Sequence, residues 1–164
     1  MRPELERRIY KIYINDIPLY LMHRESRSEI ENLLPQDVLV LTYTGRKHSL
    51  INCIDILEKE GREAIVVQTD GAVEELFATF KSLFHRVKAC GGLVLSPDRK
   101  RVLMIKRRGF WDLPKGKMEP KERKSQTARR EVEEETGVQV LMVKEKLVTT
   151  RHTFKKKDGT RVLK

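Results

Sequence analysis

The chain has 164 residues, 39% of them hydrophobic, and a net charge of +10. Its length and apolar content suit one or two small domains with real cores, no apolar run approaches a membrane span, and two distant cysteines exclude a disulfide framework or a zinc pattern. The first residues, MRPELERRIYK, lack the apolar core of a secretory signal, so a reducing cytoplasm is the expected compartment. Charge is unevenly spread. Residues 1–85 carry 11 Lys+Arg against 14 Asp+Glu, net −3, and residues 86–164 carry 23 against 10, net +13. The second half is therefore the expected contact for anions, phosphates above all.

The first half reads as a small α/β domain over residues 1–85. Two apolar runs, 10–14 and 17–21, flank Asn15-Asp16 and predict a β-hairpin. Residues 37–44, DVLVLTYT, predict a strand. Ser49 is placed to cap the helix that carries Leu50, Cys53, Ile54 and Leu57 on one face, and Gly61 is placed to stop it. Residues 64–68 predict another strand. Asp70 then precedes a long amphipathic helix whose stripe of Val73, Leu76, Phe77, Phe80, Leu83, Phe84 and Val87 is a core face. The loop Gly45-Arg46-Lys47-His48-Ser49 reads as a solvated connection, and the four histidines are isolated.

A boundary is expected near residue 86, and the second domain is expected over 86–164. It opens with a hairpin, 92–96 and 102–106, across Pro97-Asp98-Arg99-Lys100, and ends with a basic hairpin tip at Lys155-Lys156-Lys157 before a strand at 160–163. Between them lies GKMEPKERKSQTARREVEEETGV, residues 116–138. Four glutamates, Glu131, Glu133, Glu134 and Glu135, crowd a helix end that already carries partial negative charge. At about 100° per residue, Glu131, Glu134 and Glu135 share one face, Ala128 and Val132 turn inward, and Glu133 points elsewhere. Three such carboxylates suit a hard divalent cation, Mg²⁺ or Mn²⁺, and equally a solvated acidic patch. The residue types alone do not choose.

The rest of the stretch chooses. Gly116 is followed by five residues and Glu122, then seven residues and Arg130-Glu131-Val132, then Glu134-Glu135, Gly137 and Val138. Every fixed position of the Nudix box is filled, and Trp111-Asp112-Leu113-Pro114-Lys115 is similar to the lead-in common in that family. The chain thus resembles a Nudix hydrolase from about residue 86 onward. The resemblance implies an α/β/α sandwich with a mixed sheet and a loop–helix–loop box, its helix at about 124–136; the small separate α/β domain read from the first half would precede it. It implies that Glu131, Glu134 and Glu135 bind Mg²⁺ or Mn²⁺, with the Gly116 carbonyl as a further ligand, and that Arg130 orients a glutamate. Glu122 and Gly137 complete the box structurally. Glu134 or Glu135 is the candidate acceptor of a water's proton.

Lys115, Lys117, Arg107 and Arg108 surround the box in sequence and are the candidate contacts to substrate phosphate. Trp111 reads as a packing residue rather than a base-stacking one. The implied reaction is hydrolysis of a diphosphate linkage in a nucleoside diphosphate derivative, a dinucleoside polyphosphate or a capped or 5′-phosphorylated RNA. The alternative is a nucleotide or RNA sensor that keeps the fold without turnover. No membrane partner is expected. Lys121 and Arg123 stand where many boxes have Gly and Ser or Thr, which leaves the helix without a good N-cap. The chain also stops sooner after the box than the family pattern leads one to expect, so a second copy of the chain, or its own N-terminal half, is expected to cover the gap.

Overall fold

In the computed structural model of the chain, which describes residues 8–59, 62–107, 109–140 and 142–164, Asn15-Asp16 turns β1 (Tyr10–Ile14) back onto β2 (Ile17–His23). Both turn residues have positive φ, 49° and 64°, the mirror-image turn whose twist suits a two-residue hairpin and which Asn and Asp tolerate. Two short 3-10 turns follow at Arg24–Glu29 and Glu31–Leu33. Then come β3 (Leu39–Thr42), α1 (Lys47–Glu58), β4 (Ile65–Thr69), α2 (Val73–Lys81) and β5 (His85–Arg86). β2, β4 and β3 lie side by side and parallel. Alternation along the strands builds two apolar faces. Ile12, Ile14, Leu19, Leu21, Ile65 and Val67 meet Leu50, Ile54 and Leu57 of α1 and Val73, Leu76 and Phe80 of α2, while Tyr20, Met22 and Val66 meet Ile30 on the other side.

Both helices differ at their ends from the sequence reading. α1 begins two residues before Ser49, whose hydroxyl donates to the Arg46 carbonyl at 2.7 Å instead of capping the helix. The expected stop, Gly61, lies outside the described residues. α2 starts after Ala72, not Asp70, and ends at Lys81 rather than running to Val87. The Ser82 hydroxyl donates to the Thr79 carbonyl at 2.7 Å, and the chain turns there into β5. Phe84 still reaches the core.

The second stretch holds β6 (Ala89–Gly91), β7 (Val94–Leu95), β8 (Val102–Leu103), β9 (Ile105–Arg107), β10 (Phe110–Asp112), β11 (Lys115–Lys117) and α3 (Lys124–Thr136). Its strands form three antiparallel pairs, β7 with β8, β9 with β10, and β6 with β11. α3 lies against β6 and β11. It occupies the residues its pattern predicts and stops at Gly137, whose φ of 71° is a conformation glycine adopts without cost.

The last elements are β12 (His152–Lys155) and β13 (Arg161–Leu163), a hairpin. β12 adds in parallel to β1, with Tyr13 opposite His152, and β13 adds in parallel to β5, with Val162 opposite His85. The described residues thereby form one seven-stranded mixed sheet, ordered β3-β4-β2-β1-β12-β13-β5. The chain divides into one unit comprising the described part of Met1–Arg86 with Thr149–Lys164, and a second unit, Val87–Val148. The protein is mixed α/β, as expected, but the N-terminal half is not a separate domain. The reason is pairing: the edge of β1 left open by the first hairpin takes up β12. The mixed sheet therefore belongs to the first unit, and the second holds α3 and three short strand pairs, of which β6–β11 lies against the helix.

Charge reinforces that pairing. Arg161 of β13 bonds both carboxylate oxygens of Glu58, at 3.0 and 2.7 Å, and also Asp55, while Lys155 of β12 reaches Glu58 at 2.6 Å. Burial pushes the Glu58 carboxyl up, but Arg161 and Lys155 outweigh it and hold it below its ordinary range. Arg161→Ala should therefore lower the unfolding free energy by about 1–3 kcal/mol in urea melts, the scale of a few charge-assisted bonds. A loss below about 0.5 kcal/mol, the usual effect of a surface change, would show that the hairpin does not depend on this cluster.

Candidate active site

The box is organised by one side chain. The Arg130 guanidinium donates to both oxygens of Glu122, from Nε at 2.8 Å and Nη2 at 3.0 Å, and Nη2 also donates to the Lys117 carbonyl at 3.0 Å. Its Nη1 donates to Glu131 Oε1 at 2.8 Å and Glu134 Oε2 at 3.0 Å. The planar fork thus ties the loop before α3 to the face of α3 that carries the acids. Glu122 accepts twice more, from the Glu119 N–H at 3.0 Å and from the hydroxyl of fully buried Thr127 at 2.7 Å. Arg130, then the Glu119 N–H and Thr127, hold the Glu122 carboxyl at about 2, well below its ordinary 4.5. Glu122 and Glu131 in turn raise Arg130 further above its ordinary value, so it stays charged.

The weak N-cap is compensated locally. The Arg123 N–H donates to Gln126 Oε1 at 2.8 Å, and the Glu122 carboxylate adds negative charge just before the first turn. At the far end, the Lys115 N–H donates to Glu135 Oε2 at 2.9 Å. Gly116 packs so close to Glu131 that a Cβ would collide with the carboxylate. The box glycine is therefore required by this approach of backbone to acid.

The helical wheel groups Glu131, Glu134 and Glu135 on one face and sets Glu133 apart; the structure keeps Glu133 apart but brings only Glu131 and Glu134 together. Glu133 turns away, and its Oε1 accepts from the Val140 N–H at 3.0 Å. Glu131 and Glu134 converge on Arg130 Nη1. Glu135 turns to the Lys115 N–H and to Arg107 Nη1 at 3.5 Å. Among the described residues no group of three or more His, Cys, Asp or Glu is gathered closely enough to hold a metal ion. The donors nevertheless fit a hard divalent cation in kind: two carboxylate oxygens already converge on one positive nitrogen, with Gly116 alongside Glu131.

The candidate phosphate contacts are mostly engaged. Lys115 Nζ bonds Asp112 and, at 3.4 Å, the Leu113 carbonyl. Arg107 pairs with Glu135, and Lys117 is exposed while its carbonyl serves Arg130. Arg108 lies outside the described residues. Trp111 is not packed inside, as the sequence reading had it. It is 66% exposed, with Lys106 Nζ 6.0 Å from the ring centre. Sequence reasoning missed Thr127 and Gln126, which lie outside the fixed box pattern, and the β9–β10 hairpin, whose only signal is Gly109 between two short runs, here at φ 88°.

The Glu122 pairing makes a pH prediction. Because the folded value lies below the ordinary one, its contribution to stability is complete above about pH 4.5 and is lost as pH falls toward about 2. Urea melts across that window should show a fall in stability that Glu122→Gln reduces. An unchanged slope in the variant would show that Glu122 does not carry the pairing.

The family model of the NUDIX domain matches residues 85–162, a stretch that contains the whole box. The comparison with solved structures finds no match. The complete box, its Arg130 fork and the matching family model agree: residues 85–162 carry a NUDIX domain, a type of domain that in general hydrolyses pyrophosphate bonds.

Proposed function

We propose that the protein is a divalent-metal-dependent pyrophosphohydrolase that cleaves the diphosphate linkage of a nucleoside diphosphate derivative, a dinucleoside polyphosphate or a capped or 5′-phosphorylated RNA. The observation that carries this reading is the convergence of Glu131 and Glu134 on the single nitrogen Nη1 of Arg130. Glu131 and Glu134, joined by Glu135 and the Gly116 carbonyl, would hold Mg²⁺ or Mn²⁺. A bound ion of this kind neutralises phosphate oxygens and lowers the pKa of a water. Arg130 keeps Glu131 and Glu134 oriented through fixed donors. Glu134, 58% exposed along its side chain, or Glu135 accepts the water's proton in this proposal. Lys115, Lys117 and Arg107 bind the phosphates, and the +13 charge of residues 86–164 supports a polyanionic substrate. The same proposal sets the reaction in the cytoplasm, where the thiols of Cys53 and Cys90 stay reduced.

A sensor without turnover is the second reading, and it draws on Glu135 standing apart from the other two acids. A phosphate-release assay with Mg²⁺ across nucleoside diphosphate derivatives separates the two. Turnover should vanish with chelator and return with Mg²⁺. Glu134→Gln and Glu131→Gln should each lower kcat by about 100-fold or more, while Glu133→Gln, whose carboxylate serves only the Val140 N–H in the described geometry, should stay near wild type. Equal losses at Glu133 and Glu134 would overturn the assignment, and nucleotide binding with no phosphate release would support the sensor.

A further inference from the structure

The β9–β10 hairpin stands beside the box, and its register says which of its side chains face the site. Arg107 is paired with Phe110, Lys106 with Trp111, and Ile105 with Asp112. Directly paired residues of an antiparallel ladder share a face, and successive residues alternate. Arg107, Phe110 and Asp112 therefore lie on one face, and Lys106 and Trp111 on the other. The Lys106 ammonium near the Trp111 ring agrees with that division.

Two independent contacts identify the first face as the one turned to the box. Arg107 Nη1 lies 3.5 Å from Glu135 Oε1. Asp112 bonds Lys115, whose own N–H donates to Glu135. Phe110, on this face and paired with the arginine that touches Glu135, is 78% exposed. A large aromatic ring this exposed, paired across the hairpin with a guanidinium, presents its surface to solvent and to a ligand. Its flat faces and the adjacent cation match a ligand that joins a planar base to phosphate.

We infer that Phe110 is the residue of this site that stacks on the base of a nucleotide ligand, with Arg107 beside it meeting the phosphates, and that Trp111, on the opposite face, is not. This rests on the nucleotide-diphosphate reading above and deepens it, because it makes the base, and not the diphosphate alone, part of what is recognised. Stacking on a ring tolerates different bases, so the inference is for a nucleotide class and not for one base.

Calorimetric titration of the full chain with α,β-methylene-ADP and with methylenediphosphonate, both in Mg²⁺, isolates the base from the diphosphate without requiring turnover. The wild type should bind the nucleotide about tenfold or more tightly than the base-free analogue, the scale of one stacked base. Phe110→Ala should abolish that preference and leave methylenediphosphonate binding unchanged. Phe110→Tyr should keep the preference, and so should Trp111→Ala. The inference is overturned if the wild type shows no preference, if Phe110→Ala retains it, or if Trp111→Ala removes it equally. Loss of turnover in the glutamate variants bears on the hydrolase reading alone, so the two can fail separately.

Discussion

The Arg130 guanidinium is the contact on which the second unit depends. Acids at a helix C-terminus oppose the helix dipole and repel one another, and this helix carries four of them. Arg130 lies among them, satisfied by three carboxylates and a backbone carbonyl. One cation therefore does two jobs. It relieves the repulsion within α3, and it fastens the preceding loop to that helix through Glu122. Removing such a partner leaves charges uncompensated, which costs far more than the pairing contributes net. The acidic helix end and the arginine are thus one device and not two separate features.

A second guanidinium plays the corresponding part in the first unit. Arg161 joins β13 to residues of α1 more than 100 positions away in sequence. It works beside backbone pairing, since β12 and β13 insert between β1 and β5 and close the edge that the first hairpin leaves on β1. The cluster is half-buried, and the tendency of burial to neutralise Glu58 is overcome by two cations. Ladder hydrogen bonds set the register, and the charges favour that closure over a frayed hairpin.

The positive excess of residues 86–164 is not a uniform field at the site. Arg130, Arg107 and Lys115 each meet a carboxylate, and Lys106 lies near an indole. If the proposed phosphate ligand binds here, it would meet cations already held in place by acids, an arrangement that orients donors in advance and lowers the entropy cost of binding. Phe110 is 78% exposed beside these paired charges.

Periodicity and turn chemistry made much of this protein legible in advance. Asn15-Asp16 declared its hairpin because few other pairs adopt positive φ at both positions, and α3 declared its span because a regular box and Gly137 bound it. The wheel separated Glu133 from the other acids because helical spacing is a local property. What the residues did not determine alone was long-range. No local signal says that β12 will leave the box domain to pair beside β1, since strand pairing is set by edges that exist only once the sheet is built. Nor could spacing say that Glu134 would share a nitrogen with Glu131 while Glu135 turned to a loop N–H, because those choices depend on side-chain reach across α3 and β11. Trp111 and Phe110 are adjacent in sequence and equally aromatic. Only the register of β10 on β9 decided which of them faces the acids, because a strand sends neighbouring side chains to opposite sides.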